Sequence, residues 1–159
     1  MIERTLVVLK PDAVQRQLVG EIITRFEKAG LKIVGMKMLW PDKAFAKKHY
    51  AEHINKPFYK LLEDMITEGP VIAFVLEGPH AVEIVRKIVG PTEPRKAPPG
   101  TIRGDYALHS YEYADNKKTA VRNLIHASDS KESAEKEIYL WFSQEELFEY
   151  KTVHEKHTF

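Results

Sequence analysis

The stretch from residue 121 to 142, VRNLIHASDSKESAEKEIYLWF, restricts the possible folds of this chain more than any other. The apolar pair Leu124-Ile125 is typical of the end of a buried strand, and His126 follows where that strand is predicted to stop. A polar turn comes next, and Ser130 or Ser133 can cap a helix whose apolar residues recur at helical spacing. The pattern therefore predicts a histidine between a strand and a helix N-terminus, where anions bind and side chains point into a cleft.

His126 is a candidate nucleophile for a phosphoryl group. Neutral imidazole is nucleophilic near pH 7, because its ordinary pKa lies close to that pH. Such a ring needs a partner that fixes its tautomer, and Glu137 lies on the first turns of the predicted helix, where its carboxylate can fold back. On local sequence alone, a structural histidine at a strand end stays an open alternative, since the chain contains six other histidines.

The remaining sequence alternates between strand and helix patterns. Apolar and β-branched runs predict strands, and apolar residues at helical spacing predict helices. The predicted strands cover residues 5–9, 31–40 and 71–76, and the predicted helices cover 19–29, 42–50, 58–67 and the segment between Pro79 and Gly90. With the strand that ends near residue 125 and the helix after it, the order resembles βαββαβ. This order predicts an α+β, ferredoxin-like fold with a four-stranded antiparallel sheet covered by helices.

The segments between these elements carry turn and breaker residues. Lys10-Pro11-Asp12 ends the first strand, and Asp12 can cap the segment that comes after it. The proline-rich residues 91–100 are incompatible with regular structure and predict a functional or disordered loop. Tyrosines and turn residues indicate an exposed, hairpin-like excursion at 106–120. Residues 144–150 predict a short helical turn with a Ser143–Glu146 capping box, and the tail after it is predicted to be irregular.

Composition narrows the class of protein. With 159 residues, 43% of them hydrophobic, the chain suits a single domain over residues 1–159. A net charge of +1 argues against strong binding to nucleic acid, and the absence of cysteine excludes disulfides and thiolate chemistry. The first residues carry no signal-peptide pattern, and no apolar run reaches the length of a transmembrane helix. We therefore expect a cytoplasmic protein.

Six sequence motifs occur together and in order along the chain. They are TLVVLKPDAVQR, KPFY, GPT, PGTIRGDY, NLIHASDS and SAEKEIYLWF. In this combination the chain resembles the nucleoside diphosphate kinase family from residue 3 to about residue 150. The resemblance implies an enzyme that transfers the terminal phosphate of a nucleoside triphosphate, typically ATP, to a nucleoside diphosphate. It also implies a ping-pong mechanism through a phosphohistidine.

The resemblance implies roles for individual side chains. His126 falls on the phosphorylated histidine, with Glu137 and Ser128 on the carboxylate and hydroxyl beside it. Lys10 matches a lysine on the ribose and phosphate side, and Tyr50 matches a tyrosine beside the transferred phosphate. The other matched contacts are Phe58 and Leu62 at the base, Arg86, Thr92 and Arg103 at the phosphates, and Asn123 at the sugar hydroxyl. Phosphoryl transfer depends mostly on positioning and charge stabilisation, so cations and hydroxyls around a nucleophile are the expected parts. An aromatic platform holds any base by its face, which predicts broad base tolerance.

The resemblance also bears on the metal and the assembly, and the chain departs from the family pattern at two places. Mg²⁺ is expected to arrive with the nucleotide, and Asp129 is the nearest candidate for a contact through water. The resemblance implies a homo-hexamer, with a tetramer as the alternative. Ala127 stands where the family usually has glycine, and the segment at 106–120 is longer than usual, which leaves Ala120 and Val121 as alternatives for the residue beside the base.

Two other functions stay open from the sequence. One is a phosphohistidine relay that passes phosphate to protein partners through the same histidine. The other is a nucleic-acid-binding scaffold on the same fold, against which the net charge near zero and the absence of an aromatic-basic strand motif argue.

Overall fold

The computed structural model describes residues 1–159 and contains one four-stranded sheet with helices on both faces. The strands are β1 (Ile2–Leu9), β2 (Lys32–Leu39), β3 (Val71–Pro79) and β4 (Ile125–Ala127). Their order across the sheet is β2-β3-β1-β4, and all three neighbouring pairs are antiparallel. The predicted α+β, ferredoxin-like fold is therefore confirmed.

Nine helices connect and cover these strands. They are α1 (Pro11–Gln15), α2 (Val19–Lys28), α3 (Lys43–His49), α4 (Tyr59–Thr67), α5 (Ala81–Val89), α6 (Ile102–Tyr106), α7 (Tyr111–Lys117), α8 (Lys131–Trp141) and α9 (Glu155–Thr158). Three short 3-10 turns lie at Ala51–His53, Pro94–Lys96 and Gln144–Glu146. The last begins with the predicted capping box between Ser143 and Glu146.

The strands β1 and β3 are buried on both faces, since their successive side chains, which point to opposite sides, belong to two different apolar clusters. In β1, Val7 and Leu9 join one apolar cluster with Phe26 of α2 and Val85 of α5. The alternate residues of β1 join the second cluster, which includes Ile66 of α4 and residues of α8. This arrangement explains the nearly continuous apolar runs in β1 and β3.

The predicted hairpin-like excursion at 106–120 is wrong, because residues 111–117 form the helix α7. Ser110 precedes the helix, and its hydroxyl accepts a hydrogen bond from the Tyr113 N–H at 3.1 Å. Such a side-chain cap stabilises a helix too short to be stable alone. Lys118 ends α7 in the left-handed conformation, with φ of 54°. The segment is thus a capped helix between α6 and the approach to β4.

Two expectations around His126 also need correction. His126 is the middle residue of β4 and pairs with Val8 of β1, so the strand does not stop before it. Leu124 lies before the strand with a φ of 70° and is not part of it. Asp12 does not cap α1: the helix starts at Pro11, and the Asp12 carboxylate accepts a hydrogen bond from the Leu124 N–H at 3.1 Å. Of the two candidate caps of α8, Ser130 is the one whose side chain caps the helix.

The tail was predicted to be irregular, but it forms α9 and packs on its own chain. Lys32 of β2 is buried, and its Nζ donates to the Tyr150 carbonyl at 2.8 Å and to Glu155 at 3.0 Å. The Tyr150 hydroxyl donates to the Ile33 carbonyl at 2.5 Å. The proline-rich segment likewise contains a 3-10 turn, closed by the Ala97 N–H, which donates to the Pro94 carbonyl at 2.9 Å. The Arg95 N–H donates to the His109 carbonyl and ties the loop to the chain before α7.

Candidate active site

His126, Glu137 and Ser128 form the centre of the candidate site. The Nε2 atom of His126 in β4 lies 2.7 Å from Oε2 of Glu137 on α8, and the Ser128 hydroxyl donates to the same oxygen at 2.7 Å. Glu137 accepts from both groups, so Nε2 carries the proton and Nδ1 keeps its lone pair. The His126 side chain is 26% exposed, which leaves the ring accessible. The arrangement holds a nucleophilic nitrogen with a fixed tautomer.

His49, at the end of α3, is a neighbour that the sequence did not reveal. Its ring meets the ring of His126 edge-on, with 4.8 Å between centroids and 85° between planes. The Trp141 indole N–H donates to Nδ1 of His49 at 3.1 Å. Burial, followed by the charge of His126, lowers the pKa of His49 well below its ordinary value, so His49 stays neutral. Only its place in space links His49 to the site, since 77 residues separate it from His126 in the chain.

Tyr50, next to His49, lines the same cavity as His126. Its side chain is buried, and burial raises the pKa of its hydroxyl, with a further contribution from the Glu137 carboxylate. Tyr50 is therefore a protonated hydroxyl that can donate a hydrogen bond near the nucleophile.

Lys10 supplies a buried positive charge at the end of β1. It is 8% exposed, and its Nζ donates to the Asn123 side-chain oxygen at 2.7 Å. Burial, and after it the charge of Arg103, lowers the pKa of Lys10 to about 8; Asp12 opposes this shift, and Arg122 adds to it. An ammonium group held out of water in this way attracts anions more strongly than a solvated one.

Arg103, on α6, is buried and bound to three backbone carbonyls. Its guanidinium donates to Asn123 at 3.2 Å, to Gly90 at 3.0 Å and to Ile125 at 2.5 Å. A guanidinium has five N–H groups, so two remain for an anion. Burial, and then the charge of Arg86, lowers the pKa of Arg103 to about 10. Arg103 thus connects α6 to the segment that carries His126 while it keeps its charge at neutral pH.

Arg86 and Thr92 both contact the segment around His126, but in different ways. Arg86 of α5 is half-buried, and its guanidinium donates to the Ala127 carbonyl at 3.3 Å, next to His126. Thr92 is exposed, and its carbonyl accepts from the Asn123 amide at 2.8 Å. Through that carbonyl, the loop after α5 helps to orient Asn123.

Phe58 and Leu62 lie at the start of α4. The Phe58 ring is 45% exposed, with the Lys56 ammonium 5.6 Å from its centroid and the His53 ring at 5.7 Å. Leu62 is half-buried and packs on the core layer beneath α4. An exposed aromatic ring beside a cation, on a half-buried support, is suited to stacking with a planar ligand.

A cavity of about 410 Å³ opens onto His126. Its lining includes His49, Tyr50, His53, Asp129, Ser133 and Glu137, whereas Lys10, Phe58, Leu62, Arg86, Thr92, Arg103 and Asn123 lie outside it. The predicted site residues are therefore divided. His126, Tyr50 and Glu137 line the cavity, whereas the cations Lys10, Arg86 and Arg103 bond to β4 or to the segment that leads into it. Hydrogen bonds from the Ser133 and Ser130 side chains lower the pKa of the exposed Asp129, with desolvation acting against them. No cluster of three or more His, Cys, Asp and Glu side chains could hold a metal by itself.

Ala127 fits its position without backbone strain. It is buried in β4 and is not among the residues with positive φ, so the methyl group that replaces the usual glycine hydrogen is accommodated. Ala120 and Val121 are both half-buried in the approach to β4. No helix of the chain has the length and apolar content that crossing a membrane requires.

Comparison with known proteins matches this chain to one family over most of its length. The family model described as "Nucleoside diphosphate kinase" matches residues 3–147. A nucleoside diphosphate kinase of Pyrococcus horikoshii is 64% identical over 148 residues, which are 93% of this chain and 90% of the relative. One from Staphylococcus saprophyticus is 54% identical over 148 residues, 93% of each chain.

Solved structures agree with the sequence comparison. A transition-state mimic of the nucleoside-diphosphate kinase from Borrelia burgdorferi, with bound vanadate and ADP, superposes with a TM-score of 0.95 at 41% identity and covers 99% of this chain and 96% of that one. A halophilic nucleoside diphosphate kinase from Halobacterium salinarum in complex with CDP gives a TM-score of 0.88 at 44% identity and covers 98% and 97% of the two chains.

Proposed function

The chain belongs to the nucleoside diphosphate kinase family, whose enzymes transfer phosphate between nucleotides, and from this premise we propose that it works by a ping-pong mechanism through a phosphohistidine on His126. The donor is a nucleoside triphosphate, typically ATP, and the acceptor is a nucleoside diphosphate. The observation that carries the proposal is the pair of hydrogen bonds by which His126 and Ser128 converge on one Glu137 oxygen, because they leave Nδ1 as the reactive nitrogen.

Each half-reaction exchanges one bond to phosphorus. In the first, the Nδ1 lone pair of His126 attacks the γ-phosphorus and an N–P bond forms. The bond from that phosphorus to the bridging oxygen breaks, and the nucleoside diphosphate leaves with the electron pair. In the second, a terminal oxygen of the acceptor diphosphate attacks the same phosphorus, the N–P bond breaks, and Nδ1 recovers its lone pair. Glu137 stabilises the positive charge that the ring carries in between.

The surrounding cations stabilise the negative charge that moves with the phosphoryl group. We assign Lys10, Arg86 and Arg103 to the phosphates, where a buried ammonium and forked guanidinium groups are effective. The Tyr50 and Thr92 hydroxyls complete the phosphate side. On the nucleoside side, Phe58 and Leu62 hold the base, and Asn123, already oriented by Lys10 and Thr92, reaches the sugar hydroxyl.

Mg²⁺ is the proposed cofactor, carried by the phosphates of the nucleotide. The exposed Asp129 carboxylate, which lines the same cavity as His126, supports this role. When bound, the ion neutralises phosphate charge. The contribution of this chain is the cation set and an Asp129 contact through water.

Assembly, domain organisation and location extend the same proposal. We propose that residues 1–159 act as one domain and that the chain forms a homo-hexamer. Exposed apolar side chains on β2, at Met36 and Met38, together with Trp40 just after the strand, are consistent with contacts between copies. The proposed location is the cytoplasm.

The test separates the two half-reactions. The protein is incubated with γ-labelled ATP and magnesium, and acid-labile label is expected on the chain. An unlabelled GDP chase should move that label into GTP. His126→Gln should abolish labelling, whereas His154→Gln, which changes an exposed histidine in the tail, should label like the unaltered protein. Label that survives the chase would contradict transfer to nucleotides and support the relay to protein partners; label that persists in His126→Gln would refute the assignment of the nucleophile.

A further inference from the structure

Leu124 adopts a strained turn two residues before His126. Its φ is 70°, and the Ile125 N–H donates to the Asn123 carbonyl at 2.8 Å, which closes a γ-turn around Leu124. A γ-turn with positive φ is rare, and a buried leucine has no intrinsic preference for it. Strain of this kind persists only where the surrounding structure holds it, and it concentrates at functional sites.

The residues that follow β1 hold both sides of this turn. The Lys10 N–H donates to the Leu124 carbonyl at 2.8 Å, and the Asp12 carboxylate accepts from the Leu124 N–H at 3.1 Å. The turn sets the direction of Asn123, whose side chain meets the Lys10 ammonium, and it begins the strand that carries His126. These two hydrogen bonds hold the Leu124 backbone in one orientation, and Asp12 is the one side chain that bonds its N–H.

The second oxygen of Asp12 has no hydrogen-bond partner. Asp12 is 9% exposed, and its Oδ1 is buried without a donor. An ionised carboxylate is costly to bury unless positive charge lies near it. The Lys10 ammonium, two residues earlier, is such a charge, because Asp12 raises the pKa of Lys10 against the effects of burial and neighbouring arginines. The carboxylate thus has a place in the charge balance as well as in the backbone contact.

We propose that Asp12 is a positioning residue of the phosphate-transfer site, which holds the strained Leu124 turn with one oxygen and counters the Lys10 ammonium with its negative charge. The proposal rests on the function proposed above, because it assigns Lys10 and Asn123 to the nucleotide. Asp12 acts through these two residues and has no assigned contact with the substrate.

The charged and titratable groups around Lys10 and Asp12 lie in five segments of the chain. Asp12 on α1 favours the ammonium form, and Arg103 on α6 and Arg122 before β4 oppose it. His49 on α3 is neutral and adds no charge. Burial lowers the pKa of His109, before α7; the charge of Arg122 lowers it too, and Asp12 opposes them. His109 is therefore also neutral above pH 7. Asp12 is therefore the one carboxylate among these groups whose charge favours the ammonium form of Lys10.

Two variants separate the two roles. Asp12→Asn keeps an oxygen that accepts from the Leu124 N–H but loses the charge, and Asp12→Ala loses both. The titration of Lys10 can be followed by NMR with ¹³Cε-labelled lysine, and its signal is identified by its absence in Lys10→Met. In Asp12→Asn, we expect the midpoint of this titration to fall by about one pH unit. As pH is raised, the KM for the nucleotide should then begin to increase about one pH unit earlier than in the unaltered protein. At pH 6.5, kcat should change less than about threefold. Asp12→Ala should lower kcat about tenfold at every pH, because the turn loses its support.

Glu155→Gln is the matched control. Glu155 also accepts from a backbone N–H, that of Thr152 at 3.2 Å, and also faces a buried lysine, Lys32, but it lies in the tail. It should change neither the Lys10 midpoint nor the pH dependence of KM. The proposal is overturned by an unchanged Lys10 midpoint in Asp12→Asn, or by an unchanged kcat in folded Asp12→Ala. The NMR measurement needs no phosphate transfer, so it tests Asp12 even in a chain for which the proposed function fails.

Discussion

Replacing Lys10 with methionine should change how the stability of the protein depends on pH. Lys10 is almost fully buried, and burial is the main cause that lowers its pKa from an ordinary 10.5 to about 8. In the unfolded chain the lysine regains its ordinary pKa. Between these two values the unfolded state binds more protons than the folded state, so the stability of the unaltered protein rises with pH there. Methionine has a similar volume and no charge, and it removes this dependence.

The magnitude is set by the two pKa values. At pH 7 the lysine is protonated in both states, and the cost of keeping its charge buried is roughly 3 kcal/mol. At pH 10 the folded lysine is neutral and the unfolded one is only partly protonated, so the cost falls below about 1 kcal/mol. The free energy of unfolding of the unaltered protein should therefore gain about 2.5 kcal/mol relative to Lys10→Met between pH 7 and pH 10. The variant leaves the Asn123 oxygen without its donor, but that loss does not vary with pH.

Urea unfolding of both proteins at pH 7, 8, 9 and 10, followed by circular dichroism at equal protein concentration, measures this difference. Groups that do not interact with Lys10 titrate alike in the two proteins and cancel. Lys47→Met, which removes an exposed lysine of α3, should run parallel to the unaltered protein at all four pH values. A difference between the unaltered protein and Lys10→Met that stays constant with pH would refute the inference that Lys10 is buried with a lowered pKa.

Two further predictions concern the base platform and the assembly. In steady-state assays, Phe58→Ala should raise the KM for ADP, GDP and CDP by a similar factor of about ten, because stacking on a ring is worth about 1–3 kcal/mol for any base. The kcat should change little. A change in KM confined to one base would contradict the platform role. Light scattering at micromolar protein concentration should give a mass six times the 18.3 kDa of one chain, and the mass of a monomer or dimer would rule out the proposed hexamer.

Sequence pattern predicted the long elements of the fold and missed most of the short ones. Helices α2, α4, α5 and α8 have at least nine residues each, enough turns for apolar spacing to mark the buried face. The five-residue α6 and the seven-residue α7 have too few turns for a periodic signal. Their stability comes from caps at Thr101 and Ser110 and from packing, which apolar periodicity does not reveal.

The candidate site divides in a similar way. The motifs identified the candidate nucleophile His126 and its Glu137 partner, and the two side chains do meet. The roles of His49 and Asp12 were missed, because each reaches the site from an element far away in the chain. Asp12 was expected to cap a helix, a local role, and its actual partner lies 112 residues further on. Contacts over such distances depend on how the sheet is assembled.

By itself, the sequence determined the order of the strands and of the long helices, the apolar faces that pack on the sheet and the candidate site residues, since these depend on residue type and local spacing. The tertiary structure decided their chemical state. Lys10 has a lowered pKa because burial removes water around it, His49 is neutral for the same reason, and hydrogen bonds from Lys10 and to Asp12 hold the Leu124 turn on both sides. Burial and long-range hydrogen bonds arise only when distant segments are brought together, so no local pattern encodes them.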